Sequence, residues 1–593
     1  MSKIICAALA AISSWLWGGT VYAMLPEAAA VAQEKSVVVD ENNEFVPNEF
    51  DITLFGANGD DEIDDTDYIQ NAIDMVKSDS AKQQTVHIPR GVYYISRCLT
   101  IHSNTSLILD DGAKIIRTDE SQAMLKNADD SGALVGGYGH AKNITVSGGE
   151  WDGNVKNRQS AKALFLFNHS QNINILNTYI HDYCGGHGVI FNACSDVEIS
   201  GVELSDFVKC KNMEQGGSAW YQEAMHFDYA SEEQDYEGSA APLDNTGCRN
   251  VHVDSCKFED LPVAVGTHHD YSALYGDNIT FNNCEFKDIK FACINAYGFR
   301  TMEIKGNKAS NCLTFANLRK CQGDVSNNSV SLISKATKSQ LAGVSKGYQM
   351  RVIDCTLNIS GNKFVGGASS GLVISENSNI EMSQNKIKNV KNFGMKISDS
   401  SRVAMSSDLV SGSGETGIGV VDGSVLTIKN AKILNNKQDG IKGSFAKKIT
   451  LKNCTIKSNA RGIAVNGGIV NCTSGKICRN AGKEIVCAAG TKGTFRSNTF
   501  GGGGNTIATG SNIKITGSKY LLDESSLKLD KKIYKFKGKA VKPKVTVTFA
   551  GKTLSSKNYK ITYSANKKRG KGTVTVIGKG AYVGKLTAKF TIK

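Results

Sequence analysis

Four short segments with the same pattern stand at a fixed interval: NIEM at 379–382, RVAM at 402–405, VLTI at 425–428 and KITL at 448–451. Their second residues, which are all apolar, follow one another every 23 positions. Each segment is followed by a glycine and an apolar residue, at 394–395, 417–418, 440–441 and 462–463. A repeat of this length indicates a solenoid, in which each coil buries its apolar face only against its neighbours.

The repeats consist of short alternating strands, and the chain of 593 residues contains only six prolines. This favours a right-handed parallel β-helix over a leucine-rich repeat, whose consensus is absent. The end of a solenoid exposes unpaired backbone and needs a cap. A helix is predicted there, because Asp64, Asp65 and Thr66 are N-cap types and apolar residues follow at helical spacing. The predicted fold class is all-β: a right-handed parallel β-helix solenoid with an N-terminal capping helix, plus a small C-terminal antiparallel β-sandwich.

The cap sequence FGANGDDEIDDTDYIQNAIDMV, with VHIPRGVYYIS and SLILDDGAKIIRTDE after it, resembles the N-terminal segment of secreted β-helix enzymes. These enzymes form the pectate-lyase-like superfamily, which includes polygalacturonases and pectate lyases. The resemblance covers 44–154 by motif and extends to about 491 by repeat pattern. It implies a carbohydrate-active enzyme. The polygalacturonase motif GHG is present at 186–188, but it precedes the carboxylate-bearing strand that is described below.

The first 23 residues, with a basic Lys3, an apolar run and a small residue at Ala23, predict a signal peptide and an extracellular protein. A linker at 24–43 and the β-helix at 44–499 follow, and no later membrane segment is found. Residues 500–526 are predicted to form a glycine-rich terminal turn and linker.

The last segment, 527–593, is predicted to be a basic β module. It alternates apolar residues with Lys and Thr between glycine turns, and it resembles the lysine-rich Ig-like modules of bacterial surface proteins. It holds nineteen Lys or Arg and one acid, a net charge of +18, which leaves −6 for the rest of a chain of +12. Such segregation predicts an anionic partner, here a cell-wall polymer, and a solvated spacer is the alternative. No nucleic-acid partner is predicted.

The glycine-then-apolar column continues backwards into less regular coils. If Val189, Met225, Val265 and Ile294 point inward, the two-residue period of a strand places their neighbours outward. The outward residues form two rows: Ile190, His226, Gly266 and Asn295, and then Asn192, Asp228, His268 and Tyr297. Asp228 and His268 should therefore be surface neighbours, because adjacent strands are about 4.8 Å apart.

Other polar residues join this patch. His187 and Glu223 stand where two of the strands begin, and His269 and Asp270 follow His268. Insertions on either side of the Asp228 strand could wall a groove, in which Trp220 or Tyr221 would stack on a sugar. We predict the catalytic set Asp228, His268, His226, Glu223 and His187. The predicted substrate-binding set is His269, Asp270, Tyr297, Asn295, Asn192, Trp220 and Tyr221.

A carboxylate beside an imidazole suits general acid–base catalysis, and paired carboxylates suit glycoside hydrolysis. The first expectation is therefore hydrolysis of an extracellular polysaccharide, with or without uronate residues, with Asp228 as acid or base and Glu223 as its partner. Lyase or epimerase chemistry on uronates is the alternative, with a His or Tyr base. A non-catalytic adhesin is a third hypothesis. Neither a metal nor a cofactor is predicted, although a bound cation stays open.

Overall fold

A computed structural model describes most of the chain. The described residues are 38–39, 45–46, 48–76, 78, 82–119, 123–131, 135–157, 163–208, 223–230, 242–268, 276–337, 346–501, 507–509, 512–522 and 527–593. The predicted signal peptide and nearly all of the linker at 24–43 lie outside them. The chain divides into two units, 1–49 and 50–593. In the first, strands Val38–Val39 and Phe45–Val46 pair antiparallel; a further strand spans Glu49–Asp51.

The second unit is built on three long parallel sheets, named A, B and C here, to which successive strands of each coil contribute in turn. Sheet A contains Gln84–Ile88, Thr105–Leu109, Ala141–Ser147, Ser170–Leu176, Ser195–Ser200, Arg249–Asp254, Gly276–Asn282, Phe299–Arg300, Met302–Lys305, Gln322–Ser326, Thr356–Ser360, Asn379–Ser383, Arg402–Ser406, Val425–Lys429, Lys448–Lys452, Ile469–Thr473, Lys492–Arg496 and Ile513–Thr516.

Sheet B takes the second strand of each coil. It contains Gly91–Ile95, Ala113–Arg117, Glu150–Asp152, Tyr179–His181, Glu203–Ser205, Lys257–Glu259, Glu285–Lys287, Lys308–Cys312, Ser329–Leu332, Lys363–Gly366, Lys386–Lys388, Leu409–Ser411, Lys432–Leu434, Thr455–Lys457, Lys476–Cys478, Thr499–Phe500 and Lys519–Leu521.

Sheet C takes the third strand and carries the candidate site. It contains Leu99–Ile101, Leu125–Asn127, Phe165–Asn168, Val189–Asn192, Glu223–Asp228, Val263–Gly266, Ala292–Tyr297, Ala316–Arg319, Met350–Ile353, Leu372–Ser375, Met395–Ile397, Ile418–Val421, Asp439–Ser444, Arg461–Asn466, Ile485–Cys487 and Ile507–Thr509. The short strands Tyr183–Cys184 and Phe207–Val208 pair beside these sheets.

The strand register confirms the repeat. Ile380 pairs with Val403, Val403 with Leu426, and Leu426 with Ile449, so one repeat is one coil. All four side chains are buried, because alternate residues of each strand point into the solenoid. The right-handed parallel β-helix is the fold of this chain.

The capping helix spans Thr66–Asp74. Asp64 accepts a hydrogen bond from the Thr66 amide at 3.0 Å and so satisfies one of the free N–H groups of the first turn. Ile69 and Ile73 are fully buried in the solenoid core, while the neighbouring Tyr68 is 38 % exposed. A short 3₁₀ helix, Ile52–Phe55, precedes this helix. Across the described residues, we find no helix with the length and apolar character needed to cross a membrane.

The structure differs from the predicted linker at 500–526. Strands Ile507–Thr509, Ile513–Thr516 and Lys519–Leu521 extend sheets C, A and B, so this segment adds a coil despite its glycines. The physical reason is that Ile513, Ile515 and Tyr520 still pack against the solenoid core.

Two small sheets with a common core follow. They contain Leu527–Leu529, Val545–Phe549 and Lys552–Thr553, and then Ile533–Tyr534, Lys585–Ile592, Gly570–Gly578 and Tyr559–Ser564, with a 3₁₀ turn at Ser556–Asn558. All of their pairings are antiparallel except that of Ile533–Tyr534 with Lys585–Ile592. The strand Tyr582–Val583 pairs with Lys519–Leu521 of the last coil.

Candidate functional site

The candidate site is centred on the strand Glu223–Asp228 of sheet C. Its register places Ile190, His226, Gly266 and Asn295 in one row, as predicted. The second predicted row holds for Asn192 beside Asp228. Strand pairing does not continue this second row beyond Asp228. The next strand of sheet C ends at Gly266, whose φ of 135° turns the chain out of the sheet. His268 therefore lies on the segment that leaves the sheet.

His226 lies between two carboxylates. Its Nε2 is 2.9 Å from Oδ2 of Asp228, and its Nδ1 is 3.3 Å from Oε2 of Glu223. The rings of His187 and His268 stack on it, with centroids 4.1 and 4.9 Å away. The prediction that Asp228, Glu223 and His226 face solvent is wrong, since both carboxylates are 0 % exposed and His226 is buried. The stacked rings and the neighbouring coils cover them.

These contacts set the protonation states of the buried groups. Burial disfavours the charge on His226, but Asp228 and Glu223 outweigh it and raise its pKa to about 9. Burial also opposes ionisation of Glu223, yet its bonds to His226 and His268 hold its pKa well below its usual value. Burial lowers the pKa of His187 far below its usual value, and the charge of His226 adds to this effect. The cluster thus combines a buried ionised Glu223, a protonated His226 and a neutral His187.

His268 is the member of the cluster that reaches the surface, with a side chain 27 % exposed. Its Nδ1 lies 2.7 Å from Oε2 of Glu223, so the predicted neighbour Asp228 is replaced by Glu223 in this contact. Because Glu223 is ionised, the imidazole donates from Nδ1, and Nε2 becomes the basic nitrogen. Asn295 fixes the other oxygen of Glu223, since its Nδ2 donates to Oε1 at 2.8 Å. The carboxylate therefore orients the imidazole from a rigid position.

A groove of about 300 Å³ begins at His268 and crosses the next coils of sheet C. Its lining residues include Thr267, His268, Asn295, Tyr297, Asn317, Arg319 and Arg351. No acid is among the described residues that line it, and neither arginine has an ion-pair partner in the described part of the chain. The buried oxygens Oγ1 of Thr267 and Oδ1 of Asn317 make no hydrogen bond to described residues. The groove thus offers cationic and hydrogen-bonding groups to a ligand.

The sequence analysis missed the two arginines. In the register, Asn295 is followed by Asn317 and then Arg351, and Tyr297 is followed by Arg319. The Arg319 guanidinium lies 5.1 Å from the centre of the Tyr297 ring, and the Lys320 ammonium lies 5.6 Å from it. Extending the predicted rows by one and two coils would have found both arginines.

The remaining predicted residues divide into two groups. Nδ1 of His187 donates to the backbone carbonyl oxygen of Glu223 at 2.5 Å, and Asn192 donates to Asn168 at 3.0 Å beside Asp228. Trp220, Tyr221, His269 and Asp270 lie outside the described residues, so their role as substrate-binding residues stays a prediction.

Two groups of side chains have donor atoms close enough to hold a metal ion. They are His187, Glu223, His226 and His268, and, on sheet B, Glu150, Asp152 and His181. In the first group, the three imidazole rings stack nearly parallel, and Oε2 of Glu223 already lies 2.7 Å from Nδ1 of His268. In the second, the Lys114 ammonium lies 2.7 Å from Glu150 and 2.8 Å from Asp152. In both groups, the carboxylates are thus already paired with side chains of the protein.

Two family models match the chain. The right-handed β-helix region matches residues 246–425, 324–474 and 370–520, and the pectate-lyase-like domain of rhamnogalacturonase A and epimerases matches 50–290. No curated protein matches the chain.

Several solved structures are similar to this chain at low sequence identity. The surface adhesin PfbA of Streptococcus pneumoniae is 17 % identical, with 77 % of this chain and 93 % of that one covered and a TM-score of 0.40. The A-module of the mannuronan C-5 epimerase AlgE6 of Azotobacter vinelandii is 13 % identical over 79 % and 99 %, with a TM-score of 0.28. The catalytic unit of the GH87 α-1,3-glucanase of Streptomyces thermodiastaticus is 12 % identical over 79 % and 68 %, with a TM-score of 0.31.

Proposed function

Because the chain is a right-handed β-helix protein with a pectate-lyase-like domain, we propose that it acts outside the cell on a polysaccharide that contains uronate residues. The proposed reaction begins with removal of the proton at C5 of a uronate. The observation that carries it is the contact of His268 with buried Glu223 at the edge of a groove that contains Arg319 and Arg351.

Proton removal at C5 needs a base and a neutralised carboxylate. C5 lies next to the carboxylate, so negative charge develops on that group as the proton leaves. Nε2 of His268 is the proposed base, since Glu223 holds the ring through Nδ1. Arg319 and Arg351 are the proposed partners of the carboxylate, because a guanidinium binds a carboxylate through two parallel hydrogen bonds. Their positive charge stabilises the charge that develops in the transition state.

The intermediate has two outcomes. In elimination, the electron pair from C5–H forms the C4–C5 double bond, the C4–O bond breaks, and the leaving oxygen takes a proton. In epimerisation, a proton returns to C5 from the opposite face. Tyr297 lines the groove beneath Arg319, but its hydroxyl oxygen is buried, so the proposed proton source in either case is water in the open groove.

Hydrolysis is the second candidate, because Asp228 and Glu223 supply two carboxylates on either side of His226. A glycosidase needs both carboxyl groups to reach the scissile bond from opposite sides of the sugar. The two side chains are fully buried and are already held by histidines, so proton abstraction by the exposed His268 is the better fit.

The test uses the full chain with polygalacturonate, alginate, glucuronan and neutral xylan. New ultraviolet absorbance would support elimination, and proton exchange at C5 seen by NMR would support epimerisation. Both should be lost in His268→Ala and kept in His252→Ala, an outward histidine of sheet A. New reducing ends without absorbance would replace the proposal with hydrolysis. Binding that is unaffected by His268→Ala, with no reaction on any polymer, would leave the adhesin hypothesis.

A further inference from the structure

The outer face of the four-stranded C-terminal sheet presents mainly lysine and hydroxyl groups. Its inner face packs Val574, Val576, Leu586 and Phe590 into the core of the module. On the outer face, residues paired across three strands form three rows: Lys560, Ile577 and Lys585; Thr562, Thr575 and Thr587; and Ser564, Thr573 and Lys589. Paired residues of antiparallel strands project from the same face, so the rows form one surface.

The charge of this surface is not compensated within the module. Residues 527–593 contain nineteen basic residues and a single acid, Asp530. Its carboxylate already accepts hydrogen bonds from the Lys544 amide at 2.8 Å and from the Tyr534 hydroxyl. The lysines of the outer face therefore repel one another, and only counterions offset that repulsion. A polyanion that displaces those counterions gains binding free energy from their release.

The chemistry of the face favours a carboxylated polysaccharide over other polyanions. Rows of hydroxyls between the lysines suit the hydroxyls and carboxylates of an acidic sugar chain. The rows contain no aromatic side chain on which nucleic-acid bases could stack. Ile577 is the only large apolar residue in them, so the face lacks the apolar stripe that inserts into a membrane surface.

The module has a fixed place at the end of the solenoid. Besides the strand pairing of Tyr582–Val583 with the last coil, the Tyr520 ring packs 5.5 Å from Phe549 and 5.8 Å from Tyr582. Seven strand steps of sheet C separate the groove strand Met350–Ile353 from the last strand, Ile507–Thr509. At about 4.8 Å per step, this distance is roughly 34 Å, which a polysaccharide of several residues spans.

We propose that the Lys560, Lys585 and Lys589 face binds a distant part of the same acidic polysaccharide that enters the groove, an inference that rests on the proposed function. A chain held at the module raises the concentration of its neighbouring residues at the groove, because the second contact is then intramolecular. The module would thereby increase turnover of long chains and leave short oligosaccharides unaffected.

The first test measures binding in the inactive His268→Ala chain, so that turnover plays no part. The triple change Lys560→Gln, Lys585→Gln and Lys589→Gln is compared with Lys386→Gln, Lys432→Gln and Lys476→Gln, exposed lysines of sheet B that give the same net charge. With polygalacturonate at low salt, the module triple should bind at least about tenfold more weakly. The slope of log affinity against log salt concentration should become less negative by about 2–3, because three fewer lysines contribute to counterion release. The control triple should match the parent.

Equal affinity of the two triples would overturn the inference, as would stronger binding to wall teichoic acid or phosphatidylserine vesicles than to polygalacturonate. In the active chain, the module triple should lower kcat/KM on the polymer but not on a tetramer too short to span the distance. Binding that depends on the lysines, with no turnover of any polymer, would refute only the proposed function. Turnover with equal binding of both triples would refute only this surface.

Discussion

Oε2 of Glu223 lies 2.7 Å from Nδ1 of His268, although 45 residues separate the two in the chain. The parallel coils bring them together, since Glu223 pairs with Val263 at the start of the next strand of sheet C. The same oxygen lies 3.3 Å from Nδ1 of His226. One buried carboxylate thus connects the exposed imidazole to the buried ion pair of His226 and Asp228.

Glu223→Gln should impair catalysis more than it impairs binding. The amide is close to isosteric but uncharged, so it no longer fixes the tautomer of His268 or supports its positive charge. We expect kcat to fall about 10²- to 10⁴-fold, the usual contribution of a positioned base, with little change in KM. Steady-state kinetics across a pH series would measure this. Glu203→Gln, at an exposed ion pair with Lys257 on sheet B, is the control. Parental kcat in Glu223→Gln would rule out this role.

Stability should fall at alkaline pH because of His226. Its folded pKa of about 9 lies above the 6.5 of the unfolded chain. The charged histidine therefore contributes stability that is fully present below pH 6.5 and is lost as the pH rises through 9. The contribution is at most about 3 kcal/mol, from 1.36 kcal/mol per pKa unit. Denaturant unfolding between pH 6 and 10 should show the slope, which His226→Gln should lack. An identical slope in the variant would disprove the assignment.

Arg351→Ala should weaken the reaction on acidic chains. Loss of one charge-assisted hydrogen-bonding partner costs roughly 10- to 100-fold in kcat/KM. The effect should shrink with added salt, because the groove is open to solvent. Kinetics on polygalacturonate would be compared with Arg402→Ala, an exposed arginine of sheet A outside the groove. Equal effects of the two changes would argue against a carboxylate-binding role for Arg351.

Glu484→Gln should stabilise the last coils at neutral and alkaline pH. Burial raises the pKa of Glu484 to about 7, although Asn480 donates to its Oε2. The folded pKa exceeds the unfolded value of 4.5. Protonated Glu484 therefore contributes most to the stability of the fold below pH 4.5, and this contribution is lost as the pH rises through 7. The ionised form then costs up to about 3 kcal/mol. Unfolding at pH 8 and pH 4.5 would compare the variant with Glu381→Gln, an exposed glutamate of sheet A. Stabilisation that is equal at both pH values would contradict the assignment.

The solenoid could be predicted because its information is local and repeated. Ile380, Val403 and Leu426 report the coil length directly, and a period of two assigns the inward face of each strand. Alternation also predicts one row of Ile190, His226, Gly266 and Asn295, and the strand register confirms it. The glycine-rich sequence after Phe500 misled the prediction, since strands Ile507–Thr509, Ile513–Thr516 and Lys519–Leu521 still pair with the previous coil.

By itself, the sequence determined the coil repeat, the capping helix, the charge of the C-terminal module and the strands that bear the histidines and carboxylates. Only the tertiary structure decided which of those side chains are buried, that Glu223 rather than Asp228 contacts His268, and that Arg319 and Arg351 complete a groove. The physical reason is that an outward position on one strand becomes buried or exposed through the rings and loops of neighbouring coils. Those contacts depend on where the chain leaves the sheet after Gly266, which periodicity does not encode.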